Sequence, residues 1–193
     1  MIISSKTNAN YKDLLALTTN RGRKKSERFI IEGKRELSRA LKANLPILSF
    51  VFSESAIKNE TITSSFGPHF SQATILSDEL FAKLSIRENP DGVKKNKKTW
   101  SSDLSHCKLD PNGLYLLVEG LEKPGNLGAL MRSAEATHVD GFFIANPVVN
   151  IFNPNVIRAS QGAVFNLKIY WDTSDNLLQL FKNAGLQMIA TTP

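Results

Sequence analysis

One cysteine, Cys107, and three scattered histidines, His69, His106 and His138, are all the soft metal-ligating chemistry in the chain. A lone cysteine excludes an internal disulfide and any cysteine-rich zinc site. The histidines follow no metal-ligand spacing, which leaves them as surface or loop residues. No apolar run approaches the ~20 residues of a membrane-spanning helix. The opening MIISSKTNANYK has neither the basic start nor the apolar core of a signal peptide, so a cytoplasmic location is expected. The chain also lacks a Walker lysine-serine/threonine pair, and its Gly125-Asn126-Leu127-Gly128 is not a G-x-G-x-x-G fingerprint, which counts against an ordinary nucleotide-binding α/β protein.

What is present is 193 residues that are 41% hydrophobic, enough for one large or two small domains. The net charge of +6 is unevenly placed. Through Asp110 there are 19 Lys and Arg against 12 Asp and Glu; from Pro111 onward there are 5 against 6. A basic first part suits a polyanionic partner. Residues 101–112 are polar and end in Asp-Pro-Asn-Gly, so the boundary is expected between Asp103 and Asn112, giving domains at 1–107 and 112–193.

In the first part, residues 11–17 form an amphipathic helix that leads into Asn20-Arg21-Gly22-Arg23-Lys24-Lys25-Ser26. That run reads as a loop kept pliable by Gly22, either merely solvated or a set of phosphate contacts from Arg21, Arg23, Lys24 and Lys25. Strands are expected at 29–31, 47–52 and 73–76, helices at 34–43 and 78–84, the second capped by Ser77, and turns at 64–70. The lysine-rich Lys94-Lys95-Asn96-Lys97-Lys98 is either an RNA-facing edge or a charged edge strand that resists aggregation.

In the second part, an apolar strand at 114–118 is followed by the turn Lys123-Pro124-Gly125-Asn126, with Asn126 capping a helix. Leu127, Leu130, Met131 and Ala134 give that helix one apolar stripe, and Gly141 opens a strand through 145. Strand, loop, helix, strand implies parallel pairing with a right-handed crossover. Gly128 and Arg132 lie one turn apart, off the stripe. A helical glycine costs roughly 1 kcal/mol against alanine, so something is expected to approach it closely. Arg132 then sits either at the ligand-binding top of the sheet or as a surface arginine beside an incidental glycine. Glu119 either buttresses that site or is a plain carboxylate ahead of the helix. A helix opening at 156–160 and stopped by Gly162, a strand at 163–170, a helix at 175–183 and a last strand at 186–190 complete the chain.

The series Asn126-x-Gly128-x-x-x-Arg132-x-Ala134 resembles the first motif of the SpoU (TrmH-like) RNA ribose 2′-O-methyltransferases of the SPOUT class. Three further segments agree. Arg28-Phe29-Ile30-Ile31-Glu32-Gly33 with its helix resembles the substrate-binding domain attached to many of them. Glu88-Asn89-Pro90-Asp91-Gly92-Val93 resembles the family's E-N-P-Q-G-V, with Asp91 and the preceding Arg87 as departures. Arg158-Ala159-Ser160-Gln161-Gly162-Ala163 resembles R-A-S-x-G-A. The resemblance implies an α/β chain: a small ribosomal-protein-like α/β substrate-binding domain plus a parallel-sheet SPOUT domain.

It further implies methyl transfer from S-adenosylmethionine to a ribose 2′-hydroxyl of structured RNA, rRNA or tRNA, by a homodimer. Arg132 would be catalytic with Asn126, and because arginine stays protonated it would act as a positioner and electrostatic stabiliser first. Gly128, Arg158 and Ser160 would lie on the substrate side, and Thr191 and Thr192 on the cofactor side. The family's second and third motifs, which tie its knot and supply most of the cofactor pocket, find no match here. The expectation is therefore an incomplete chain that lacks the knotted part and is inactive alone. The competing expectation is a non-catalytic RNA-binding protein on the same scaffold.

Overall fold

The elements follow from their caps. In this computed structural model, which describes residues 2–45, 48–66, 68–69, 73–87, 93–100 and 102–191, Asn8 accepts from the amides of Asn10 and Tyr11 and starts α1 (Ala9–Ala16). Thr19 caps α2 (Asn20–Ser26) by accepting from Gly22 N. The basic run is therefore a helix and not the expected loop, and Gly22 is there for fit: a Cβ on it would lie 1.9 Å from the carbonyl oxygen of Ala16. Ser77 caps α5 (Asp78–Leu84), as its sequence implies.

Strands β1 (Ile2–Ile3), β2 (Arg28–Glu32), β3 (Ser49–Ser53), β4 (Thr74–Leu76) and β5 (Val93–Lys98) form a sheet in the order β1-β4-β3-β5-β2. The first two pairings are parallel, and β5 runs antiparallel to both β3 and β2. Neither edge reading of the lysine-rich strand holds, because β5 is hydrogen-bonded on both sides. Helices α3 (Lys34–Lys42) and α4 (Glu60–Phe66) complete this half; α4 takes in part of the stretch read as turns. Buried Glu36 of α3 pairs with Arg87 at 3.1 Å, and Glu32 accepts from Ile86 N, so two carboxylates anchor the stretch before residue 88. The Glu-Asn-Pro-Asp-Gly motif at 88–92 lies outside the described residues.

Strands β6 (Tyr115–Glu119), β7 (Gly141–Ala145) and β8 (Ile169–Asp172) form an all-parallel sheet in that order, joined by α6 (Pro124–Ala136) and, after β7, by α7 (Pro154–Ala159). Helix α8 (Ser174–Asn183) covers the other face through Leu177 and Phe181 against Phe143. Residues 163–170, expected as one strand, instead make a 3₁₀ turn at Ala163–Phe165 and only then β8; Gly162 at φ +88° turns the chain. Residues 186–190 form no strand, since no ladder partner stands beside them among the described residues, and Ile189 is left 83% exposed.

A single apolar cluster runs through both sheets. At the junction the ring of Phe152 lies 4.9 Å from Phe29 and 4.5 Å from Trp100. Arg39 of α3 pairs with Glu135 of α6 and donates to Gln161 O, while Asn166 donates to Glu135 at 2.6 Å. The polar stretch between the sheets is docked as well: Leu104, Cys107 and Leu109 pack against the α8 side of the second sheet.

Candidate active site

Parallel α/β sheets present ligands at the carboxyl ends of their strands. Here those ends carry a polar cluster. Glu119 ends β6, Asn146 follows β7, and Ser174 opens α8 after β8. Asn146 Nδ2 donates to Glu119 at 2.8 Å and to Ser174 Oγ at 2.6 Å, and Ser174 Oγ donates in turn to Glu119. These hydrogen bonds, Ser174's first and Asn146's second, favour the charged carboxylate and pull the Glu119 pKa below its usual value. Asn146 adopts φ +46°, a left-handed conformation that asparagine tolerates. No sequence motif singles out Asn146 or Ser174. The only signal was an asparagine standing where a strand ends.

Helix α6 begins three residues earlier than expected, because Pro124 at its first position has its φ preset for a helix. Asn126 is thus not the cap but an exposed residue of the first turn. Arg132 is the ninth helical residue, so at 1.5 Å per residue it sits roughly 12 Å along the axis from the helix start. It is exposed on the outer side of α6, not at the top of the sheet. Gly128 answers a different need from the expected one. It is buried, and a Cβ there would lie 2.5 Å from Ala159 Cβ and 2.6 Å from Ser160 N. The glycine makes room for α7, not for a substrate.

The Arg158–Gly162 segment divides the same way. Ser160 is fully buried, its hydroxyl donating to Ile157 O at 2.9 Å and accepting from Gly162 N at 3.3 Å. It secures the turn and presents nothing to a substrate. Arg158 is exposed and shares a shallow cleft of about 390 Å³ with Pro124, Gly125, Asn155 and Ala159. Lys123, which caps α6, makes no side-chain cap bond, and Pro124 has no N–H, so the Gly125 amide and an arginine border one concavity. That combination suits an anionic group.

Among the four basic residues of α2, Arg21, Lys24 and Lys25 are exposed. Arg23 is not: it is 3% exposed, and its Nη1 donates to Leu17 O at 3.1 Å and Thr18 O at 3.0 Å. It binds carbonyls just past the end of α1, and burial lowers its pKa. As a phosphate contact Arg23 is therefore withdrawn.

Thr191 is exposed at the end of the unpaired 186–191 stretch, and Thr192 lies outside the described residues. Thr191 does not border the cleft at Arg158. Of the two residues assigned to S-adenosylmethionine, only Thr191 is thus placed, on an exposed and unpaired segment. Among the described residues no group of three His, Cys, Asp or Glu could hold a metal, and no helix is long and apolar enough to cross a membrane.

An α/β substrate module followed by a parallel sheet with an Asn-x-Gly-x-x-x-Arg helix defines a class, and known proteins specify it. Residues 8–94 match the MRM3-like substrate binding domain and residues 113–193 the SpoU rRNA Methylase family. An uncharacterized tRNA/rRNA methyltransferase of Synechocystis sp. is 31% identical over 99% of this chain and 70% of its own length. The chain therefore belongs to the SpoU methylase family, whose members are S-adenosylmethionine-dependent RNA methyltransferases. The 23S rRNA (guanosine(2553)-2′-O)-methyltransferase RlmP of Bacillus subtilis is 26% identical over 98% of the chain and 72% of its own. The crystal structure of an RNA 2′-O ribose methyltransferase superposes with a TM-score of 0.84 at 34% identity, covering 100% of this chain and 74% of that one. The SpoU methyltransferase AviRb from Streptomyces viridochromogenes, solved in complex with AdoMet, shares the fold at 22% identity and a TM-score of 0.78, over 92% and 68% of the two chains.

Proposed function

We propose that this chain serves methylation of a ribose 2′-hydroxyl in structured rRNA or tRNA, in the cytoplasm, as part of a homodimer. The observation that carries the reading is Arg132, an exposed arginine held on a helix whose Gly128 is locked against the Arg158–Gly162 turn. A 2′-hydroxyl is a weak nucleophile until its oxygen is polarised or its proton accepted. Arginine stays protonated, so Arg132 orients the ribose or its phosphate and stabilises negative charge developing on the oxygen. Asn126, exposed on the same helix, orients the substrate. Arg158 and the first turn of α6 hold a neighbouring phosphate. S-adenosylmethionine, when bound, supplies the electrophilic methyl group.

The two sheets divide into an RNA-binding unit, 1–107, and a transferase unit, 112–193, with α2 supplying phosphate contacts through Arg21, Lys24 and Lys25. Exposed Lys108, Asp110, Pro111 and Asn112 make the stretch between them the expected first site of limited proteolysis. A first cut within α6 or β7 would count against the division.

A pocket for S-adenosylmethionine needs enclosure and matched polar groups, and the residues described supply at most one wall. Measured by calorimetry as it stands, the 193-residue polypeptide is expected to bind S-adenosylmethionine weakly or not at all and to transfer no methyl. A micromolar Kd, about −8 kcal/mol, would overturn this part of the reading. In a form of the protein that methylates RNA, Arg132→Ala loses turnover by ~10²–10³-fold with cofactor affinity kept. Retained turnover would remove Arg132 from the reaction.

A further inference from the structure

Between α2 and the loop after β7 lies a second concavity, about 220 Å³, with a wall from each half of the chain. Asn20 and Lys24, one helical turn apart on the same side of α2, form one wall. Val148, Asn150, Phe152 and Trp171 form the other. Trp171 lies opposite Ile144 in the β7–β8 ladder, near the carboxyl ends of the strands. Its ring stands edge-on to Phe152, at 86° and 6.3 Å between centroids, and is only half buried. Val148 is 68% exposed, the second-highest value among the large hydrophobics. Among the described residues, no acidic side chain lines the cleft.

We infer that this cleft receives one unstacked nucleotide of the RNA substrate, its base against Trp171 and Val148 and its phosphate at Lys24. The chemistry fits on three counts. A partly free indole beside an exposed aliphatic group is a platform for a flat π-system, whichever base it carries. Lys24 belongs to an exposed basic set with Arg21 and Lys25, which carries the attraction along a polyanion and not to a point. The volume falls below the ~300–1,000 Å³ usual for drug-sized ligands, which favours a single base over a whole cofactor. The site also spans both halves, so filling it sets the register of an RNA held by the first half against the sheet of the second. The inference rests on the RNA-substrate reading above.

The test compares two RNA probes on the 193-residue chain: a hairpin with 2-aminopurine in a single-stranded loop, and a fully paired duplex of equal length. Trp171→Ala should weaken hairpin binding about tenfold, the size of one lost base–aromatic stack, and leave duplex binding unchanged. Trp171→Phe should keep near-normal affinity. Quenching of 2-aminopurine should occur with the native chain and the Phe variant and vanish with Ala. Val148→Glu, at an exposed position that does not threaten folding, should weaken the hairpin in the same selective way. Equal losses on both probes, or no quenching by the native chain, would overturn the cleft assignment while RNA binding itself stood. Absence of binding to either probe would overturn the RNA reading and the cleft with it.

Discussion

Gly128 of α6 and Ala159 of α7 meet so closely that a methyl group on the glycine would lie 2.5 Å from the alanine's Cβ. The neighbours include the backbone of Ser160 at 2.6 Å, which cannot rotate aside. Gly128→Ala would gain about 1 kcal/mol of helix propensity and lose about 1–3 kcal/mol to overpacking. The expected outcome is a lowered urea midpoint at an unchanged m-value. A raised midpoint would show that α7 can move away and that the contact is loose.

The basic helix α2 should separate into two behaviours. Replacing Arg21, Lys24 and Lys25 together with alanine should leave folding intact and reduce the salt slope of RNA binding by about three units, one per lost phosphate contact. Arg23→Ala should instead lower stability by about 1.5–3 kcal/mol, the range for hydrogen bonds from a charged group. A salt slope altered by Arg23→Ala in chain that remains folded would restore it to the RNA face.

Glu119 should report on the strand-end cluster through its titration. Its folded pKa is depressed, so its contribution to stability is present above the ordinary value of 4.5 and is lost as pH falls through the lower, folded value. Ser174→Ala removes the larger of the two causes. Carboxyl NMR should then find the Glu119 pKa moved back up, and stability should depend less on pH in that acidic window. An unmoved pKa would mean that the serine does not hold the carboxylate.

Arg39 and Glu135 join the halves through a partly buried ion pair that Asn166 also supports. A double-mutant cycle of Arg39→Ala and Glu135→Gln should give a coupling of about 1 kcal/mol, above the median for surface pairs and below that of fully buried ones. Zero coupling would make the contact incidental.

The sequence made much of this legible. The apolar stripe of Leu127, Met131 and Ala134 is the buried side of α6, Ser77 is the cap of α5, and the crossover from β6 to β7 is parallel. What it hid are matters of fit between distant residues. Gly22, Gly128 and Ser160 looked like flexibility, substrate clearance and substrate contact. Each serves packing or an internal hydrogen bond: Gly22 against Ala16, Gly128 against Ala159, and Ser160 within its own turn. Arg23 is indistinguishable by composition from Lys24, and only its position on α2 turns it inward. Residues 186–190 have strand-like apolar character, yet a strand exists only where a partner's amides and carbonyls are offered.

The insertion of β5 between β3 and β2 carries a consequence for the order of folding. Until residues 93–98 arrive, β2 and β3 have no strand to share, and each presents a free row of amides and carbonyls with Phe29, Ile31, Phe50 and Phe52 nearby. On the ribosome the first half must wait for the segment that closes its sheet. The two ladders join sequence separations of up to about 70 residues, a topology that slows closure and lengthens exposure to neighbouring chains. A piece of this protein cut just short of Val93 would therefore be a pair of sticky margins rather than a small domain, and the lysines of the closing strand would be the last charges added before the sheet is sealed.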